Sequence, residues 1–385
     1  MMQSPCKSIR RAHYVGRILL ALALLSVAAL QPAIGQALQE QPDGHHSPEC
    51  TKGFTIKDLG ILPGGSLSLA TAINNRGRVA GEADAANGAG RAFLFEHGVM
   101  RDLGTLPGGF FSTANGINDR GQVVGIADTA SFLEHAFLFE HGMMTDLGTL
   151  GGDSSEAFGI NDRGQVVGEA ETAGSAFHAF LFEHGVMTDL GTLPNSNFSS
   201  ATAINNRGQV VGFDFLTSGA EHAFLYEHGE MTDLGTLPGD VESFASGIND
   251  RGQVIGYSSN GSGSSRSFLY EHGEMTDLGA LLGGTFTAIA INNRGQVLGQ
   301  ATTASGATHV FLFEDGVVTD LGALGTLPGG VASQASAFND RGQVAGISLS
   351  ASATQRAVLW APNHRQNDHD YGDDESDHNE HAHQK

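Results

Sequence analysis

The sequence predicts an all-β fold: a seven-bladed β-propeller with four antiparallel strands per blade, the last blade closed by the N-terminal strand. Three observations carry this expectation. An Asp-Leu-Gly motif recurs with Asp at 58, 102, 146, 189, 233, 277 and 320, at spacings of 44, 44, 43, 44, 44 and 43 residues. Such a period belongs to propeller blades, in which each repeat is one small sheet. Each repeat also reads as four short strands. Finally, the repeat region opens with a lone last strand and closes with the first three, so one blade draws on both ends of the chain.

The chain begins with Lys7, Arg10, Arg11 and Arg17 and no acidic residue up to position 37. The run Ile18–Leu30 (ILLALALLSVAAL) follows, then small residues at Ala33, Gly35 and Ala37. This order of basic start, apolar stretch and small residues reads as a signal peptide over 1–37. A membrane anchor is the competing reading, but 13 residues fall short of the roughly 20 that a spanning helix needs. The mature chain is therefore expected to lack a membrane span and to be exported, to a periplasmic or extracellular place. Cys6 leaves with the signal, so only Cys50 remains and no internal disulfide can form. Residues 38–53 read as a linker.

From 54 to 361 the repeats run without interruption. A small-residue run ending in Ile-Asn is strand a, with Asn at 74, 118, 161, 205, 249, 292 and 339. The turn Asn-[Asp/Asn]-Arg-Gly leads to Gln-Val-Val-Gly, strand b. A variable loop precedes His-Ala-Phe-Leu-Phe, strand c, with Phe at 93, 137, 180, 224, 268 and 311 and then Val358. Glu-His-Gly connects this to strand d, which ends in the Asp-Leu-Gly. Short β-branched and aromatic segments punctuated by Gly and Asn/Asp are hairpin signals. Both short turns end in Gly, which suits a type I turn closed by a left-handed residue. No segment carries a helical period. The c–d turn is missing only after Trp360, where Ala-Pro stands instead. No turn is needed there if strand d arrives from Phe54–Gly60, the closure by which a propeller removes a free sheet edge.

These motifs (His-Ala-Phe at 135–137, 178–180 and 222–224, Asp-Leu-Gly-Thr-Leu, and Ile-Asn-x-x-Gly-Gln-Val-Val-Gly) resemble the HAF repeat of bacterial extracellular proteins, seven times over. Arg91, Arg266 and Arg356 stand where that motif has His, and Val follows His309. The resemblance implies an exported repeat protein and no defined activity.

Residues that recur in every blade read as architecture. Asp102, Asp146 and Asp189, the turn residues Asn118, Asn161 and Asn205, and Arg120, Arg163 and Arg207 are expected to satisfy backbone groups or to pair with a neighbour at blade level. Function is expected where the repeats differ. The d–a and b–c connections share one face and vary; the a–b and c–d turns share the other and are uniform. Variable loops on a rigid scaffold are where binding concentrates. The loops bring Phe110, Phe111, Phe132, Phe177, Phe198, Phe213, Phe215, Tyr257 and Phe286, together with acids such as Asp84, Asp128, Glu169, Asp214, Glu221 and Glu242. Rings beside carboxylates suit sugar stacking with hydroxyl hydrogen bonds, or a cationic peptide. The expected partner is thus a glycan or a protein. The same rings could instead tuck between blades, with the acids serving solubility.

Charge narrows the partners further. The chain has 20 Lys+Arg against 42 Asp+Glu; without the four basic residues of the signal, 16 face 42, a net charge of −26. Nucleic acid and anionic membranes are poor fits to such a surface. No nucleophile elbow, zinc-protease, phosphate-loop or paired-cysteine motif is present, and no cofactor or metal site is implied. The expectation is a non-enzyme. Its alternatives are a glycan-active hydrolase or lyase using paired carboxylates such as Asp153/Glu156 or Asp240/Glu242, and a structural surface or matrix protein. The tail 362–385 has five His among many acids and no aliphatic residue larger than Ala. It is expected to be disordered and to bind transition metals weakly.

Overall fold

The computed structural model describes residues 53–363 apart from 283–285, 304–306 and 353. The expected signal peptide, nearly all of the linker, and the tail beyond Asn363 lie outside the described residues. Within them, 28 strands, β1 to β28 in chain order, form seven four-stranded antiparallel sheets arranged as a seven-bladed propeller. Blades 1 to 6 each take four consecutive strands. Blade 7 has the order β1-β28-β27-β26, with β1 (Phe54–Asp58), β26 (Gly330–Phe338), β27 (Val344–Ser350) and β28 (Gln355–Pro362).

The closing strand is therefore N-terminal, as the residue bookkeeping requires. Phe54 faces Pro362 and Asp58 faces Val358 across the β1–β28 ladder. Arg356 Nη2 reaches Asp58 Oδ2 at 2.9 Å. Phe54 and Ile56 pack on a cluster containing the fully buried Trp360.

Every strand a carries the same β-bulge. In blade 1, Ala70 faces Gly81 but Ala72 faces Ala80, which leaves Thr71 unpaired; all seven blades repeat the shift. A bulge adds one residue on one side of the ladder and bends that strand. It drives the carbonyl of Leu69 into the space a side chain at Gly81 would occupy, and the other strand-b glycines meet the same contact. This is why Gln-Val-Val-Gly ends in glycine. The freed side chain bonds to the next blade: Thr71 Oγ1 donates to Ala114 O at 2.8 Å and Thr202 Oγ1 to Ala245 O at 2.8 Å.

The recurring Asn completes a hydrogen-bonded circle. Asn118 is 4% exposed. Its Oδ1 accepts the N–H groups of Arg120 and Gln122 at 3.1 and 3.0 Å, while its Nδ2 donates to Asn161 O at 2.9 Å. Asn161 donates likewise to Asn205 O, Asn205 to Asn249 O, Asn249 to Asn292 O and Asn292 to Asn339 O. Asn339 Nδ2 then donates to Asn74 O at 2.9 Å, and Asn74 to Asn118 O at 2.8 Å, so the ring shuts. A second circle runs beside it. The N–H of residue 75, 119, 162, 206, 250, 293 or 340 donates to the Oδ1 of the Asp or Asn in the next blade. The two circles frame an axial cavity of about 250 Å³ lined by Ile73, Asn74, Asp119 and their counterparts. Arg120, Arg163 and Arg207 lend the turn their N–H groups and leave their side chains exposed.

Buried serines add a third link. Ser112 Oγ accepts Ala92 N–H at 2.9 Å and donates to Gly104 O at 2.6 Å. Ser155, Ser199 and Ser243 do the same in their blades, and Ser68 links Ala357 and Gly60 across the closure. Blade 6 departs from this pattern. Phe286 occupies the serine's place and is 4% exposed, while Ser267 supplies the hydroxyl and accepts Ala288 N–H at 2.9 Å.

The a–b turn is the expected type I turn closed by a left-handed glycine: Gly121 N–H donates to Asn118 O, with φ of 85° at Gly121. The c–d turn differs from expectation. His97 and Gly98 both have positive φ, 52° and 84°, between the facing residues Glu96 and Val99. Two left-handed residues make a type I′ hairpin, whose twist matches that of the strands. Among the described residues one short helix, Leu278–Leu282, interrupts the otherwise all-β chain.

Candidate aromatic and acidic site on the variable-loop face

The loops of the variable face are held from below by acids that the sequence offered as contacts. Asp128 Oδ1 accepts the N–H groups of Phe110 and Phe111, each at 2.6 Å. Asp84 does the same for Ser66 and Leu67 and also accepts Ser66 Oγ. Burial pushes its carboxyl up, but these bonds outweigh it and hold Asp84 below its ordinary value. The Asp of each Asp-Leu-Gly works similarly. Asp146 Oδ1 accepts Gly148 N–H at 2.8 Å while His135 Nδ1 sits 2.9 Å from Oδ2, and Asp189 pairs with Gly191 and His178 in the same way. Asp102 takes Gly104 N–H and Arg91. The His or Arg near the start of strand c is thus the partner of its own blade's Asp, and the substitution of Arg for His keeps the pair.

The nine aromatic residues separate into distinct settings. Phe110 is 52% exposed, with the Arg91 guanidinium 5.6 Å from its ring centre, and Phe132 is 82% exposed with φ of 58°. Phe111 is half-buried. Phe177, Phe213 and Phe286 are buried, each under 10% exposed, so these three pack inside the fold rather than standing free on its face. An apolar ring at the junction of two blades gains more from its neighbours than from water.

Four of the nine come together at the boundary of blades 4 and 5. Phe198 lies on β14 (Ser196–Ile204), Phe213 and Phe215 on β15 (Val210–Leu216), and Tyr257 on β19 (Val254–Ser259). Phe244, on β18 (Glu242–Ile248), joins them and was not singled out from the sequence. Ring centres are 5.2 Å apart for Phe198–Phe215, 5.7 Å for Phe198–Phe213, 4.6 Å for Phe213–Phe244 and 5.1 Å for Phe244–Tyr257, the last pair stacked. Aromatic pairs at such separations stabilise one another beyond their buried area. Apart from Phe213 these rings are half-buried and keep some accessible surface.

Two carboxylates border the run. Glu221 opens β16 (Glu221–Glu227) opposite Phe215, and Glu242 opens β18 two residues before Phe244. Burial, and then the charge of Glu242, push the Glu221 carboxyl up to about 7; burial and the two carboxylates push the Tyr257 hydroxyl up as well. A groove of about 610 Å³ lies alongside, lined by Ser218, Gly219, His222, Asp240, Val241 and Glu242 among others. Asp240 is engaged by Arg266 Nη2 at 2.8 Å, and His222 by Asp233 at 2.7 Å. Of the acids paired from sequence, Asp240 is held by Arg266, Glu242 stands near enough to Glu221 to add to the burial that raises its carboxyl, and Glu156 accepts Asn115 Nδ2 at 3.0 Å between blades.

Two further acids are buried. Glu169 is half-buried as a residue but its carboxyl is enclosed, and burial raises it to about 7 against a bond with Ser200. Asp214 is fully buried where every other blade has Ala or Ser; its Oδ2 accepts Leu193 N–H at 2.7 Å, and burial raises its carboxyl too.

No protein-family model and no curated protein matches the chain. Among solved structures it is similar to the β-propeller domain of the Trilobed protease from Pyrococcus furiosus, with a TM-score of 0.53 and 12% identity over 76% of this chain and 95% of that one. It is also similar to a Mycobacterium tuberculosis puromycin-hydrolyzing peptidase (TM-score 0.50, 11% identity) and to a puromycin hydrolase mutant (TM-score 0.50, 13% identity). The chain spans about half the length of these two, 50% and 53%, while 77% and 76% of its own length is matched. The count of seven blades comes from this chain's own sheets; at such identities the likeness establishes the fold alone, a β-propeller. It also corrects the expectation of a non-enzyme: the ring occurs in chains named as a protease and as hydrolases, so a propeller without recognised catalytic motifs gives no ground for that exclusion.

Proposed function

We propose that this chain is an exported HAF-like repeat propeller that presents its variable-loop face to a glycan or protein partner, with the boundary of blades 4 and 5 as the contact. The carrying observation is the run Phe198–Phe215–Phe213–Phe244–Tyr257, bordered by Glu221 and Glu242, the latter also lining a groove of about 610 Å³. Rigid rings offer contact area at small entropic cost, and adjoining carboxylates supply orientation. The basic, apolar and small-residue order of positions 1–37 supports export.

The test is thermal denaturation of the full chain against neutral oligosaccharides, peptidoglycan fragments and short peptides. A ligand of the folded state raises the Tm with its concentration over Kd. The expected result is a saturable rise that Phe215→Ala and Phe198→Ala abolish. A rise untouched by both would move the contact elsewhere.

One observation favours a second reading, a glycan-active hydrolase or lyase. Glycoside cleavage uses two carboxyl groups, one retaining its proton near neutral pH, and Glu221 at about 7 beside Glu242 has that character. Turnover of an oligosaccharide, lost in Glu221→Gln, would select it.

A further inference from the structure

The groove between blades 4 and 5 has one acid at its edge with no cationic partner among the described residues, and a second acid stands near it. Glu242 lines it, and Glu221 stands on the facing blade at the start of strand c. The groove's other ionisable lining residues already have partners, Asp240 in Arg266 at 2.8 Å and His222 in Asp233 at 2.7 Å. Arg266 is itself divided between Asp240 at 2.8 Å and Asp277 at 3.0 Å, so it is not free to serve Glu221 or Glu242. Beside the two carboxylates lie the partly accessible faces of Phe215, Phe244 and Tyr257.

Like charges at close quarters raise the energy of the ionised pair, and a cation placed between them lowers it. The negative face of an aromatic ring adds to that attraction. Among the described residues no three His, Cys, Asp or Glu side chains are grouped as metal ligands would be, which favours an organic cation with an alkyl stem over a metal ion. A neutral sugar would use the rings but leave the carboxylate repulsion in place.

Resting on the reading that this face binds a partner, we propose that the boundary of blades 4 and 5, at the Glu242 edge of this groove, takes a lysine or arginine side chain of a basic peptide, its stem along Phe215 and Phe244 and its cation between Glu221, which faces Phe215, and Glu242. Such a side chain matches both halves of the site, since its methylenes cover apolar surface while its head meets charge.

Fluorescence anisotropy with labelled tetra-arginine and tetra-lysine, and tetra-glutamine as control, tests this on the full chain. The expected result is saturable binding of the two cationic peptides, weakened at least tenfold by Glu242→Gln and by Glu221→Gln. Glu274→Gln removes the same charge from an exposed position in a c–d turn, on the opposite face, and is expected to leave Kd within twofold. Equal weakening by all three variants would reduce the effect to the net charge of the chain and overturn the proposal. Failure of either cationic peptide to bind would overturn it too. A neutral oligosaccharide whose binding is lost in Phe215→Ala but indifferent to both Glu variants would remove the cation while leaving the partner-binding face in place; no response from any ligand would remove both.

Discussion

Glu169→Gln isolates one buried carboxyl and gives a signed, pH-dependent effect. The Glu169 carboxyl lies at about 7 in the folded chain, against an ordinary value of 4.5. A raised carboxyl binds its proton more tightly folded than unfolded. Below the unfolded value both states are protonated and nothing is lost. Between 4.5 and 7 the folded state holds a proton that the unfolded state has released, so stability falls as pH rises, and it levels off above 7. At about 1.36 kcal/mol per pKa unit the loss comes to a little over 3 kcal/mol and is nearly complete at pH 8. Glutamine keeps the shape and can still bond Ser200, but carries no charge to desolvate. Unfolding entropy scales as roughly 2.1 cal/mol/K per residue, or about 0.65 kcal/mol/K for a ring of this size. Glu169→Gln is therefore expected to raise the Tm by about 5 °C at pH 8 and by almost nothing at pH 4.5. Differential scanning calorimetry of both chains across pH 4.5 to 8 measures this. A Tm difference that is constant over that range, or that grows toward acid, would refute the reasoning.

Ser112→Ala removes the hydroxyl between Ala92 N–H and Gly104 O and should cost about 1–3 kcal/mol by urea denaturation, the desolvation of two stranded backbone groups. Ser267→Ala and Phe286→Ser should each destabilise, while the double variant, which restores the pattern of the other blades, should cost less than the sum by more than about 1 kcal/mol; additivity would mean that the two sites are independent. Removal of Phe54–Gly60 strips β1 from β28 and breaks the Asp58–Arg356 pair, so the Tm should drop by several degrees and new self-association should appear by light scattering, because β28 becomes an exposed edge.

Much of this architecture was legible because repetition amplifies weak local signals. One Gln-Val-Val-Gly says little; three copies and four close variants in register, with a missing turn after Trp360, fix strand number and closure. Polar positions were legible in kind: Asn118 does join its neighbour, and Asp146 does satisfy a backbone group. Their partners were not, since a period says which residues are equivalent and not which touch. The bulge at Thr71, the demand it places on Gly81, and the second left-handed residue at His97 are facts of backbone geometry that residue type only permits. The site was less legible still. Phe213 and Phe215 were visible as variable-loop aromatics and stand instead on β15, but Phe244 sits in a different repeat at a position where Leu69, Thr113 and Ser200 stand elsewhere. The departure of Phe244 from its own column was the signal that could have found it. Glu221 and Glu242 likewise meet from two repeats, so a search for acid pairs close in sequence selected Asp240 and passed over the partner.

The circle of Asn side chains has one more consequence. An α-helix is a line of hydrogen bonds, and a line has ends: four donors and four acceptors at its termini must find caps. Stacked repeat proteins inherit the same difficulty at larger scale and need special first and last units. A circle has no terminus. When Asn339 donates to Asn74, the last donor consumes the first acceptor, and no unit of the ring is a beginning. The first and the last strand share blade 7 because β1 pairs with β28 there; to the circle of amides every blade is interior.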